Sequence, residues 1–301
     1  PPDSGGIGCC GEGGRPMARM LAVSEAQRGL VLFLTLPDLE LAASADSVCN
    51  PGRLAAFENL YCASRTEPTI AVLPKGSTVP SALFAAGPEV EALALSTDGK
   101  RLFALSGGAN CLQLLDARSG ALLNSASAGL CPRSLSLLPG GEIIAVADGI
   151  ACQIALMSAD TLRPLAAYRT DGIACAATYF AGSLYALCAE GEYDLRTIVG
   201  FVNARGKWQA QIALPGLPGA MAPCGGGLLV GHLGCLTMLD APNGRIRWQT
   251  KVRGLPTQLL SLGRVACFAD ETDGLVGLID ARHGKILRRV QLDCPAGLAA
   301  L

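Results

Sequence analysis

The stretch LLDARSGALL, Leu114 to Leu123, decides the fold. It reads as the end of one strand, a tight turn in which Gly120 takes a positive φ, and the start of the next strand. Nearly the same phrase returns as MLDAPNGRIRW from Met238 and as LIDARHGKILRR from Leu278. Its aspartates are Asp116, Asp240 and Asp280; the last two stand 40 residues apart and the first two 124, close to three such steps. Worn copies fill the gap, LMSADTLRPL around Met157 and FVNARGKWQA around Asn203. Towards the N-terminus, VLPKGS near Pro74 and LTLPDLEL near Leu36 complete seven copies.

A period of about 40 residues with several short strands per copy is the signature of propeller blades, each a four-stranded antiparallel sheet. In the third copy, Ala92 to Leu95, Arg101 to Leu105, Cys111 to Leu115 and Ala121 to Ser125 read as successive strands. The expected fold is therefore all-β, a seven-bladed β-propeller in one domain over residues 17–301. Six blades fall at about 49–87, 88–129, 130–172, 173–216, 217–254 and 255–294. The remaining blade is split between 17–48 and 295–301, because CPAGLAAL at the C-terminus matches the innermost-strand phrase CPRSLSLL at Cys131 to Leu138. Pairing the two ends in one blade removes the exposed edges of an open ring. Residues 1–16, with six glycines, read as a flexible tail.

Composition excludes several classes. Half of the 301 residues are hydrophobic and 16% are charged, which suits a large core and not a disordered chain. The longest apolar run, Leu30 to Leu36, is far shorter than the roughly 20 residues of a spanning helix, so no membrane span is expected. A net charge of -1 carries no electrostatic footprint for nucleic acid, although Arg245 to Arg289 is locally basic. A monomer is expected. The thirteen cysteines include no C-x-x-C pair, so free thiols in a reducing compartment are the simpler reading. The chain begins Pro1-Pro2 without a starting Met, which leaves export open.

GLCPRSLSLLPGGEIIAVADG, followed by a third strand and a polar turn, resembles the YVTN-type repeat of bacterial seven-bladed propellers in the quinoprotein amine dehydrogenase-like superfamily. LDAPNGRIRWQTKV is similar to the repeat of PQQ-binding quinoproteins and their non-catalytic relatives. The resemblance implies a scaffold that hosts many functions. It also brings in a quinone cofactor and a lactonase-like hydrolase as alternatives, together with a cofactor-free quinoprotein-like accessory subunit. The only tryptophans, Trp208 and Trp248, read as outer-strand residues, the wrong place to stack a cofactor in the channel, so no cofactor is expected.

Catalysis near neutral pH would call first on histidine, and there are two. His283 occupies the turn DARHGK and His232 the strand GLLVGHLG, positions that do not share a site; His232 reads as a packed residue with one satisfied nitrogen. Cys62, Cys111, Cys152, Cys188, Cys235 and Cys267 alternate with Ala, Leu or Val and read as core packing. Cys49, Cys131, Cys175 and Cys294 differ, because they lie where one blade crosses to the next. In a four-stranded meander those crossovers share a face with the turns from second to third strand. That face also receives AEGEYD, with Glu190, Glu192 and Asp194, and ADETDG, with Asp270, Glu271 and Asp273, while Arg53, Glu89 and Arg133 fall beside crossovers. These residues mark the channel mouth as the candidate binding site for a protein partner or small ligand. No metal site is expected, since crossovers of non-neighbouring blades lie across the channel and ADETDG lacks the spacing of a calcium loop. The neighbouring pairs Cys294 with Cys49 and Cys131 with Cys175 are the ones that oxidation would join.

Overall fold

The computed structural model describes residues 20–192, 194–241 and 243–301, and among them all regular structure is β. Seven sheets of four antiparallel strands form a ring in which each innermost strand contacts the innermost strands of both neighbouring blades. The innermost strands are Pro295–Ala300, Pro51–Ala56, Val90–Leu95, Pro132–Leu137, Ile173–Phe180, Pro218–Cys224 and Pro256–Ser261. Pro295–Ala300 pairs antiparallel with Met20–Glu25, with Val23 opposite Leu298, so the two chain ends close one blade between them. The proposed tail, residues 1–16, lies outside the described residues.

Blades stack through their faces. In the third blade Leu102 to Leu105 is wholly buried, and Phe103, Leu112 and Leu114 pack on Ile144, Val146 and Met157 of the fourth. Because second and third strands are covered on both sides, they read as continuous apolar runs, whereas outer strands such as Leu122–Ser127 alternate towards solvent. That outer strand begins one residue later than its sequence suggested. A register shift between Leu114 and Leu115 absorbs the difference, and the Asp116 amide bonds the Ala121 carbonyl at 2.9 Å before the ladder starts.

The repeated phrase has three jobs around Asp116 and Asp280 and two of them around Asp240, whose carboxylate bonds Arg247 and the Asn243 side chain in place of turn amides. Its aspartate closes the turn: Asp116 Oδ1 accepts the amides of Arg118 and Ser119 at 3.2 and 2.7 Å, and Asp280 Oδ1 those of Arg282 and His283 at 2.7 and 3.1 Å. Its alanine, Ala117, Ala241 or Ala281, is buried against the preceding blade, which also donates a hydrogen bond to its carbonyl. The donors are Tyr61 at 2.7 Å, Gln211 at 2.6 Å with Tyr185 at 2.9 Å, and Trp248 at 3.1 Å. Its glycine takes φ of +72° at Gly120, +66° at Gly244 and +71° at Gly284. In two worn copies Leu39 and Leu162 adopt the same left-handed backbone, at +58° and +52°.

The opposite ends of the blades are tied differently. A polar residue ends the second strand in most blades and bonds the backbone of the incoming crossover. Glu25 accepts the Cys294 and Asp293 amides at 2.7 and 3.0 Å; Asp148 accepts those of Leu130 and Cys131, each at 3.0 Å. Ser64 Oγ donates to the Cys49 carbonyl at 2.6 Å, and Ser106 Oγ donates to that of Pro88. His232 holds this position in the sixth blade, and both of its nitrogens are used, one more than its sequence suggested. Nδ1 donates to the Pro215 carbonyl at 2.9 Å, which leaves Nε2 to accept the Thr237 hydroxyl at 2.8 Å.

Candidate functional site

The innermost strands enclose a channel of about 270 Å3. They approach closely: a Cβ on Gly219 or Gly297 would run into the backbone of the neighbouring blade. Its wall mixes Leu54, Leu93, Leu135, Met221 and Leu259 with Ser134, Ser136, Thr178, Thr257 and Gln258 and exposes more polar than apolar surface, while Arg53, Glu91 and Arg133 stand at its crossover end. There it meets a cleft of about 250 Å3 lined by Gly52, Arg53, Arg65, Glu89, Glu91 and Glu271.

Charge in this mouth is organised as pairs. Arg53 Nε donates to the Glu91 carbonyl at 2.7 Å, and its guanidinium lies 4.0 Å from the Glu91 carboxylate. Arg65 forms an ion pair with Glu271. Burial pushes the Arg53 pKa down, the charges of Glu91 and Glu271 oppose that push, and Arg65 adds to it. Glu271 also accepts from the Cys294 thiol at 3.5 Å. Burial, and after it the Glu271 charge, pushes the Cys294 pKa up to about 11.

Of the residues singled out in the sequence, Arg53, Glu89 and Glu271 line the mouth cleft, and Arg133 and Cys175 line the channel. Cys294 and Cys49 border an adjoining cavity of about 730 Å3 beside Arg28 and Arg65. The four crossover cysteines are not equivalent. Cys131 and Cys294 directly precede innermost strands, Cys49 lies one residue further out and is exposed, and Cys175 is inside a strand. All eleven described cysteines are free thiols. Asp270 is fully buried and accepts the amides of Thr272 and Asp273 at 3.1 and 3.0 Å; its Oδ2 has no partner. Asp273 neighbours it in that turn, whereas Glu190, exposed at the end of the strand Ser183–Glu190, and Glu192, exposed in the loop after it, line neither the mouth nor the channel. Among the described residues, no group of three or more His, Cys, Asp or Glu side chains is placed to hold a metal ion. No described helix is long and apolar enough to cross a membrane.

Arg65 and Glu91 were missed from the sequence, though a signal existed. Glu91 and Arg133 each follow the first residue of an innermost strand, Val90 and Pro132, and Arg53 falls one residue later after Pro51, so Glu91 belongs with the two arginines as a channel-facing charge. Of the packing cysteines, Cys62, Cys188 and Cys267 are buried, whereas Cys111, Cys152 and Cys235 are half-buried. Trp208 and Trp248 lie in outermost strands, away from the channel.

No protein-family model matches the chain, and no curated protein matches it in sequence. Solved structures do resemble it. A functionally unknown protein from Desulfotomaculum acetoxidans superposes with a TM-score of 0.75 at 13% identity, covering 94% of this chain and 99% of that one. Hydrazine synthase of Kuenenia stuttgartiensis gives 0.74 at 12% identity over 82% and 88%. A candidate 6-phosphogluconolactonase of Bacteroides fragilis gives 0.73 at 13% identity over 94% and 98%. At such identities the likeness establishes the seven-bladed β-propeller and nothing finer.

Proposed function

We propose that this propeller, whose repeats resemble the YVTN type, is a non-enzymatic binding or scaffolding module that takes its ligand or partner on the crossover face, at the channel mouth. The observation that carries this reading is the mouth itself, a cleft of about 250 Å3 in which Arg53, Arg65, Glu89, Glu91 and Glu271 meet above the channel. On the same face Leu130, Ile150, Ile173, Leu195, Leu217 and Leu233 project from crossovers and turns of the fourth to sixth blades, 38–67% exposed. An aliphatic arc beside a charged cleft suits protein or ligand contact more than solvent.

A hydrolase would need a proton-transfer group at the mouth. His232 is committed to Pro215 and Thr237 inside the ring, and His283 sits on the opposite face against Asp280. That leaves Glu89, Glu91 and Glu271 as the groups a lactonase would have to use, and turnover of a lactone by the purified chain would overturn the non-catalytic reading. The face assignment is tested by what co-purifies from cells that make the protein. Ile150→Asp with Ile173→Asp is expected to shed the retained ligand or partner, and Arg282→Asp with Lys285→Asp to keep it. Loss from the hairpin-face pair alone would contradict the assignment.

A further inference from the structure

The channel wall offers hydrogen bonds that its own residues do not use. Each innermost strand is paired along one edge only, so its other edge turns free amides and carbonyls towards the channel and the neighbouring innermost strand. Side chains tie some of these groups. Arg53 donates from Nε to the Glu91 carbonyl at 2.7 Å and from Nη1 to that of Ala296 at 3.5 Å, and Ser134 Oγ accepts the Ala177 amide at 3.3 Å. Further hydroxyls and an amide stand along the same wall, on Ser136, Thr178, Thr257 and Gln258. The Thr257 hydroxyl is buried and has no partner among the described residues. Charge, by contrast, cancels. Arg53, Glu91 and Arg133 stand on successive innermost strands, and the cleft adds Arg65 with Glu89 and Glu271, so the mouth holds as many carboxylates as guanidinium groups.

We propose that the channel binds a neutral, polyhydroxylated molecule of about the size of a hexose. A charged ligand gains little from a mouth whose charges balance, and a wholly apolar one would cut off the free strand edges and the wall hydroxyls from water without pairing them. A sugar answers both parts of the wall: its hydroxyls pair with the strand edges and with Thr257, and its C–H faces rest on Leu54, Leu93, Leu135 and Leu259. At the crossover end, Glu91 presents two acceptors side by side and Arg133 parallel donors, a match for hydroxyls on adjacent carbons. A cavity of ~150 Å3 accepts benzene, so about 270 Å3 admits a six-membered ring together with its substituents. This inference rests on the reading of the channel mouth as the binding face.

The test is isothermal titration of the full chain with D-glucose, D-galactose and D-mannose, and with cyclohexanol, cyclohexanecarboxylate and cyclohexylamine as counter-probes, paired with alkylation of Cys175, which lines the channel. At least one of the three hexoses is expected to bind at one site and to slow alkylation of Cys175. Cyclohexanol, a ring with one hydroxyl, should bind at least about tenfold more weakly, and the ring acid and the ring amine no better than cyclohexanol. Thr257→Val has nearly the same shape and removes a hydroxyl that has no partner in the fold. It should weaken the hexose about fivefold without lowering the melting temperature. Binding of the ring acid or the ring amine as tight as that of the best hexose would assign the site to charge and overturn the proposal. So would undiminished hexose affinity in Thr257→Val, or no binding of any hexose, which would mean that the channel holds water alone. The wider reading fails separately, if the co-purifying ligand or partner is shed only by the hairpin-face variants.

Discussion

The two faces of the ring solve the same problem, how to turn a chain at the end of a strand, in opposite ways. On the hairpin face one device serves repeatedly: an aspartate closes the turn, a buried alanine seats it on the blade before, and a residue of left-handed backbone finishes it. On the crossover face the tie is made by glutamate, serine, aspartate or histidine, according to the blade. The difference teaches where each part of the chain is constrained. Uniform chemistry is what stacking identical blades demands, and it leaves the hairpin face with little freedom. Varied chemistry around the channel mouth lets Glu91, Arg133, Cys175, Thr257 and Ala296 occupy the same station, at the register shift of the innermost strand, in different blades.

The contrast can be broken by substitution, and the largest effect belongs to the hairpin face. Gly120→Ala places a Cβ in the ring of Phe84 at a φ of +72°, and is expected to cost on the order of 3 kcal/mol in a urea unfolding curve. A loss below about 1 kcal/mol would mean that the hairpin is loosely seated. Asp148→Ala comes next. It strips the acceptor from the amides of Leu130 and Cys131 and should cost about 2 kcal/mol, with alkylation of the adjacent Cys131 accelerated.

The pH dependence sharpens the comparison, because the two faces titrate in different windows. Burial lowers the pKa of His232, with the bond to the Pro215 carbonyl opposing it. The unfolded chain therefore takes up the proton first, so the His232 contribution to stability is complete above about pH 6.5 and declines as pH falls towards the folded value. His232→Gln should remove that slope, and a slope that persists would place its origin elsewhere. The Arg282 amide, followed by the His283 side chain and amide, holds Asp280 below the usual carboxylate range. Its contribution is complete above about pH 4 and is lost as pH falls through the lowered folded value. Asp280→Asn should flatten only that strongly acidic limb, the smallest effect of the four.

Blade number, ring closure and the division into two faces were legible in the sequence, because the phrase around Asp116, Asp240 and Asp280 encodes a local turn and recurs at a fixed step. Local chemistry survives in a one-dimensional record. The ties at the ends of second strands were harder to see. Glu25, Asp148 and Asp270 look like solvated loop acids until the ring folds the crossover backbone over them, so Asp270 read as a surface carboxylate although it is fully buried. Arg65 was illegible for a related reason. It lies after a second strand of one blade and meets Glu271 of another, a contact made by ring closure and not by spacing along the chain. The cysteines fell between these cases: face assignment followed from strand parity, but depth did not, because exposure at a crossover depends on the neighbouring blade.

The most direct test of a binding crossover face needs no knowledge of the ligand. Alkylation rates of Cys49 and Cys175 would be measured on the purified chain and inside the cells that make it, with acylation of Lys100 and Lys285 on the hairpin face as reference. Both thiols are expected to react more slowly in cells than in purified protein, while the two lysines keep their rates. Unchanged thiol rates with shielded lysines would put the occupied surface on the hairpin face and contradict the account.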